Sequence, residues 1–296
     1  MKKLMKSLIA MVILVSMTFT SYARSYTTSG VGKNDQITIE QYQQILEALR
    51  TAANTDDNGR KYYVDTGIRC ERREDAEALM HCFKYLFLAD DEYSLVYNWQ
   101  GKTNYYSAPY NKYESGWAIW STDSGKGDRQ TILAGWNPLI DANELLRKHD
   151  EAKAVVDAII SSAPDTPYEK AKYFNDTLAE MITYDWEGYN SGNSKYSPYY
   201  GLIEGTCVCS GYADAYFNLC YYGGLTSAIS SCITSESKDR TADHRIAMVN
   251  LDGRWKEVDV TWNDLDPGIR YTYFMRDMNE KWQAVINRPY MVYDEE

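Results

Sequence analysis

Gly205-Thr-Cys-Val-Cys-Ser-Gly-Tyr-Ala213 sets two cysteines, Cys207 and Cys209, before a small-residue turn that leads into a helix. Backbone N–H groups at a helix N-terminus favour negative charge. A thiol placed there is readily made a thiolate, and the same donors can face an oxyanion developing on a substrate. The stretch therefore points to a cysteine nucleophile and acyl-transfer chemistry.

Working downstream, residues 212–221 keep a helical pattern up to the Gly223-Gly224 stop. Residues 227–234 alternate as a strand, and 245–251 with 255–261 read as two more strands joined by Asp252-Gly253, a strong two-residue hairpin signal. A helix followed by an antiparallel sheet is an α+β arrangement.

A cysteine nucleophile needs a base, and the base needs a group to orient it. The chain has three histidines. His81 and His149 lie in amphipathic helical stretches and read as ordinary helix residues, whereas His244 opens a strand after the cysteine helix. Asp259 sits between valines on the other arm of the hairpin, where an acid is costly to bury unless something pairs with it. With Leu251 opposite Arg254, His244 falls opposite Thr261 and Ile246 opposite Asp259. His244 and Asp259 then share a face as diagonal neighbours.

Upstream, Thr38 and Gln41 have capping-box spacing before a helix whose apolar face includes Ile45 and Leu49. Residues 61–68 alternate as a strand and 74–87 read as a second helix. From 93 to 133, short Tyr-, Trp- and Ile-rich runs separated by turn residues suit antiparallel strands and hairpins, with 93–99 and 116–120 the clearest. A long helix over 141–162 follows. Thr166-Pro167-Tyr-Glu169 then combines an N-cap, a first-turn proline and a capping glutamate for a helix running to about 182. Residues 186–200 read as loop.

Cys209-Ser-Gly-Tyr-Ala213, His244 and Leu251-Asp-Gly-Arg-Trp255-Lys-Glu-Val-Asp259-Val-Thr-Trp262 stand in that order, preceded by Tyr184-Asp185 and Tyr200-Gly-Leu-Ile-Glu-Gly205. Together they resemble the transglutaminase-like superfamily of papain-like cysteine enzymes, of the secreted bacterial type, over residues 167–274. The resemblance implies an α+β core with the nucleophile at a helix N-terminus packed on an antiparallel sheet. It also implies Cys209 as nucleophile, His244 as base and then acid, and Asp259 as the group that orients it. The Cys209 backbone N–H and a donor from Tyr200 would form the oxyanion hole. One departure is that many bacterial members follow the histidine with Ala-Trp, where this chain has Arg245-Ile246, which bears on substrate preference.

Residues 1–23 have a basic start, an apolar run over 8–15 and a Ser21-Tyr22-Ala23 cleavage pattern, as in a secretory signal peptide. The apolar run is short for a membrane span. The expected organisation is a signal at 1–23, an N-terminal α/β extension of unassigned role over 24–140, and the transglutaminase-like domain over 141–296. The formal charge is -11, and losing the signal removes Lys2, Lys3 and Lys6 but no acid. Such a surface repels nucleic acid and anionic lipid. The expected partner is a protein or peptide substrate, met outside the cell or at its envelope, with no membrane span left after cleavage.

Six cysteines in an exported chain suggest disulfides. With Cys209 kept as a nucleophile, the expected bridges are Cys70 with Cys82 and Cys220 with Cys232. Cys207 is left beside Cys209 as a redox partner that could bridge to it reversibly. No cofactor or metal site is legible, and the acidic cluster from Asp264 to Asp266 reads as a solvated turn. The competing function class is a non-catalytic surface binding or adhesion module that keeps the fold.

Overall fold

The computed structural model describes residues 25–27, 36–54, 62–89, 95–98, 117–123, 129–136, 142–233, 243–265, 268–277 and 290–292. The signal-peptide segment lies outside the described residues. The chain divides into two compact units, residues 23–87 with 91–148, and residues 88–90 with 149–296.

In the first unit, β1 (Ser25–Thr27) pairs with β2 (Gln36–Thr38), and α1 (Ile39–Ala53) follows directly. The capping box forms: Thr38 Oγ1 accepts the Gln41 N–H at 3.0 Å, and Gln41 Oε1 accepts the Thr38 N–H at 2.9 Å. Ile45 and Leu49 are buried on one face of the helix. After it come β3 (Tyr62–Cys70), α2 (Arg73–Leu86), β4 (Leu95–Asn98), β5 (Trp117–Asp123) and β6 (Gln130–Trp136). The sheet order is β3-β6-β5-β4, and β4 runs parallel to β5. This corrects the expectation of hairpins throughout. Residues 99–116 separate the two strands, long enough for the crossover that parallel pairing needs.

α3 (Ala142–Ser161) leads into the second unit, which carries the candidate site. There, α4 (Pro167–Met181) starts on the Thr166 cap with proline in its first turn. β7 (Thr183–Tyr184), α5 (Trp186–Ser191), a short π-helix (Tyr200–Glu204) and β8 (Thr206–Cys207) deliver the chain to α6 (Cys209–Tyr222). The stretch expected as loop therefore holds a helical turn. Asp185 caps α5 by accepting the Gly188 N–H at 3.0 Å, and Gly192 ends it in the left-handed conformation.

β9 (Thr226–Ile233), β10 (His244–Leu251), β11 (Arg254–Val258), β14 (Phe274–Asp277) and β15 (Tyr290–Val292) build a sheet ordered β14-β11-β10-β9-β15, with α7 (Val260–Asn263), β12 (Asp264–Leu265) and β13 (Gly268–Ile269) between β11 and β14. It is antiparallel except where β15 joins β9. Asp252 and Gly253 take φ of 52° and 81°, which suits the tight turn joining β10 to β11.

Every residue of α6 from Gly211 to Tyr221 is buried. A helix buried on every side is a central one. α6 packs against β9 and β10 on one side and α4 on another. Tyr216 and Phe217 are fully buried, each contributing about 1.5–3 kcal/mol. The cysteine at the head of α6 is thus carried by a helix packed on both sheet and helix.

The expected disulfides do not form, because Cys70 and Cys220 are free thiols. Cys220 is fully buried on α6 and hydrogen-bonded to Tyr216 and to Ser227 near the start of β9. Cys232 lies five residues further along that strand, about 16 Å away, beyond the reach of a disulfide. Cys70 ends β3 just before α2, whereas Cys82 lies nine residues into that helix, roughly 14 Å along its axis. Spacing in the sequence suggested pairs that the regular elements hold apart.

Candidate active site

Cys209 is the first residue of α6, and Val208, the N-cap, supplies no side-chain hydrogen bond. The first N–H groups of a helix have no partners within it. The Gly211 N–H donates to Val208 O at 2.9 Å, and without a capping side chain the Cys209 and Ser210 N–H groups stay available to an anion arriving at the thiol. Cys209 is partly exposed, whereas Cys207 is fully buried. Burial, then the neighbouring charge of Cys209, pushes the Cys207 thiol well above its ordinary range. Of the two, Cys209 is the one substrate can reach.

The small residues of the motif have a steric cause. A Cβ on Gly211 would fall 2.6 Å from both Cβ and Sγ of Cys207, and one on Gly201 would lie 3.0 Å from the same sulfur. Cys207 is wedged between two glycines, packed as a small apolar residue.

His244 opens β10 and is buried. Its Nε2 lies 2.7 Å from Asp259 Oδ2, and Cys209 is close enough to add to the rise in its pKa. With Nε2 occupied by the carboxylate, Nδ1 is the nitrogen left to face the thiol. Burial opposes charge on the ring, but the charge and hydrogen bond of Asp259, joined by Cys209, outweigh it and raise His244 to about 10. The indole of Trp262 stacks on the imidazole, with centroids 4.9 Å apart at 17°. This covers one face of the ring.

Asp259 reaches His244 by a different route from the one the strand pattern implied. The expected register holds from Leu251 opposite Arg254 to Ala247 opposite Val258, where the ladder ends. His244 pairs instead with Cys232 across β9, and Thr261 lies in α7. Asp259 leaves the strand to cap α7, its Oδ1 accepting the Trp262 N–H at 3.1 Å while Oδ2 meets His244. One carboxylate therefore starts the helix that carries Trp262 and also holds the imidazole.

A buried amide network fixes that corner. Asn263 Nδ2 donates to Asn175 Oδ1 of α4 at 2.9 Å, and Asn263 Oδ1 accepts the Tyr273 N–H at 3.0 Å. Tyr212 on α6 donates to Asp264 Oδ2 at 2.5 Å, tying the cysteine helix to the segment just after α7. Nothing in the local pattern of Asn175, Asn263 or Tyr212 marks these roles, since each depends on a partner far along the chain.

Arg245, where the resembling family often has alanine, extends from β10 to Asp214 on α6 at 3.3 Å. Arg245 thereby fastens the cysteine helix to the strand that carries His244. The Tyr200 backbone N–H donates to Ser197 O at 3.2 Å and is not available as an oxyanion donor. His149 is buried in α3 against Asp150. Among the described residues, no group of three His, Cys, Asp or Glu could hold a metal ion, and no helix is long and apolar enough to cross a membrane.

No curated protein matches the sequence. Among solved structures the chain is similar to a TGase, at 16% identity and TM-score 0.35, covering 60% of this chain and 62% of that one. It is also similar to a proposed cysteine protease from Cytophaga hutchinsonii, at 13% identity and TM-score 0.30, covering 45% of this chain and 52% of that one. A third is a proposed protease from Parabacteroides distasonis, at 10% identity and TM-score 0.30, covering 47% of this chain and 35% of that one. The chain thus spans less than two thirds of the length of each. Residues 153–260, the stretch that contains Cys209, His244 and Asp259, match the family model of the Transglutaminase-like superfamily.

Proposed function

We propose that this protein is a cysteine enzyme that acts on protein or peptide amide bonds by acyl transfer through a thioester. Cys209 is the nucleophile, His244 the base and then the acid, and Asp259 the group that orients His244. The observation that carries the reading is the buried His244 ring held at 2.7 Å by Asp259, with Cys209 near it at the uncapped head of α6. The family match over 153–260 supports it.

In this mechanism the Cys209 proton has passed to His244, whose raised pKa holds it, before substrate arrives, and the sulfur attacks the substrate carbonyl. Charge moves to the carbonyl oxygen, which faces the free N–H groups of the first turn of α6. The intermediate collapses by breaking the C–N bond. The departing nitrogen takes its proton from His244, leaving a thioester on Cys209. An acceptor then attacks the thioester and gives its proton to His244, and the C–S bond breaks, releasing the acyl product and returning the Cys209 sulfur beside the protonated His244. Water as acceptor gives hydrolysis, and a lysine amine gives a cross-link. We favour hydrolysis, because water needs no site of its own. The signal-peptide pattern of residues 1–23 supports an exported enzyme.

The test is incubation of the mature protein with a glutamine-containing protein, with and without a fluorescent amine, following cleavage, ammonia release and amine incorporation together. At least one product is expected, lost in Cys209→Ala. If all three signals are absent, or are equal in wild type and Cys209→Ala, the reading fails and a binding module stands in its place.

A further inference from the structure

Three aromatic rings gather on the segment that leads to the thiol. Tyr184 of β7 lies 4.6 Å from Trp186 and 6.2 Å from Tyr189 between ring centroids, and Trp186 lies 6.1 Å from Tyr189 at 88°. The backbone sets this cluster beside Cys209. Tyr184 pairs with Cys207 in the β7–β8 ladder, and the Asp185 N–H donates to Cys207 O at 3.1 Å. The far end of the same excursion returns to the next residue, where the Val208 N–H donates to Lys195 O at 3.0 Å. The Tyr184 phenol is pushed above its ordinary range by burial and then by the charge of Cys209, in keeping with that proximity.

Trp186 is 64% exposed and Tyr189 54%. Single exposed aromatics are ordinary, but a contiguous set next to a reactive thiol marks a binding surface. The segment is also held firmly. The Asp185 carboxylate accepts the Gly188 N–H through Oδ1 and the Lys195 N–H, at 3.1 Å, through Oδ2, closing the excursion at both ends. The rings are therefore presented by a pinned turn of helix.

Ring geometry selects the ligand. A cage for a cation keeps its rings apart so that the ion fits between their faces, within about 6 Å of each centroid. Here the rings touch one another at ordinary aromatic packing distances, which leaves no such space. A sugar platform needs one broad flat face, whereas the two exposed rings stand perpendicular and make a corner. A corner of two apolar faces suits an aliphatic or aromatic side chain.

We propose that Tyr184, Trp186 and Tyr189 form a specificity subsite for an apolar side chain, of leucine or phenylalanine size, on the peptide whose amide is presented to Cys209. This rests on the acyl-transfer reading above and deepens it by naming the substrate class.

The test uses two peptidyl chloromethyl ketones with the same warhead, one carrying phenylalanine and one glycine beside it. In each, the Cys209 sulfur displaces chloride, and mass spectrometry locates the label. The phenylalanine probe is expected to label Cys209 about tenfold faster than the glycine probe. That ratio is expected to fall towards one in Trp186→Ala and in Tyr189→Ala, both at exposed positions. The glycine probe is the reference within each variant, so a general change in thiol reactivity cancels. Equal rates in the wild type, or a ratio kept in both variants, overturn the subsite while leaving the nucleophile standing. If neither probe labels Cys209 ahead of the buried thiols, the acyl-transfer reading falls and the subsite with it.

Discussion

Gly211 and Cys207 are in such close contact that a single added methyl cannot be accommodated, since a Cβ on Gly211 would lie 2.6 Å from the Cys207 sulfur. The second cysteine of the motif is therefore part of the floor on which α6 begins. Gly211→Ala is expected to destabilise the protein by about 1–3 kcal/mol through overpacking. Thermal or denaturant unfolding checks this.

The two cysteines are expected to separate by role. Cys207→Ala is expected to retain amide-cleaving activity, because its thiol is buried and held protonated well above neutral pH. Cys209→Ala is expected to lose about 10³-fold or more, as removal of a nucleophile does. Rates of the two variants on one substrate decide the assignment.

The raised pKa of His244 predicts an alkaline limit. The ring holds its proton up to about pH 10, against an ordinary value of 6.5. Its proton favours the folded state, so the stabilisation is complete below about pH 6.5 and is lost as pH rises through about 10. Melting temperature should therefore fall over that window from this contribution, and the fall should be smaller in Asp259→Asn, which removes the charge that holds the proton.

Asp259→Asn also tests charge apart from shape. The amide oxygen can still cap α7, but the amide cannot supply the negative charge facing His244. Activity is expected to fall on the order of 10²-fold with the fold retained. A variant as active as the wild type would show that the carboxylate does not act through the histidine.

The thiol correction has its own test. Cys70 and Cys220 are expected to take up an alkylating reagent in denaturant without prior reduction. Protection of both until a reductant is added would restore the bridges.

Much of this was readable from local pattern. The Thr38 and Thr166 caps, the Asp252-Gly253 turn and the cysteine at the head of a helix all follow from neighbours a few residues apart, and all stand in the structure. The hairpin register was right as far as Ala247 and Val258. Beyond that point the alternating pattern of Val258, Asp259 and Val260 concealed a helix cap. The capping bond to Trp262 competes with the strand ladder, and burial of the indole against His244 favours the cap. His244 and Asp259 still met, through a turn of backbone that strand periodicity does not encode.

What the sequence by itself determined is the order and type of most core elements and the candidates for the reactive residues, because caps, turns and periodicity are short-range and each carries its own physical signature. What only the tertiary structure decided is which long-range partners those residues find. The parallel β4–β5 pair, the free Cys220 against Ser227, the Asn175–Asn263 bond and the aromatic corner beside Cys209 each join residues whose meeting depends on how whole elements pack. Packing is set by the sum of many weak contacts across the chain, and no single stretch of sequence contains that sum.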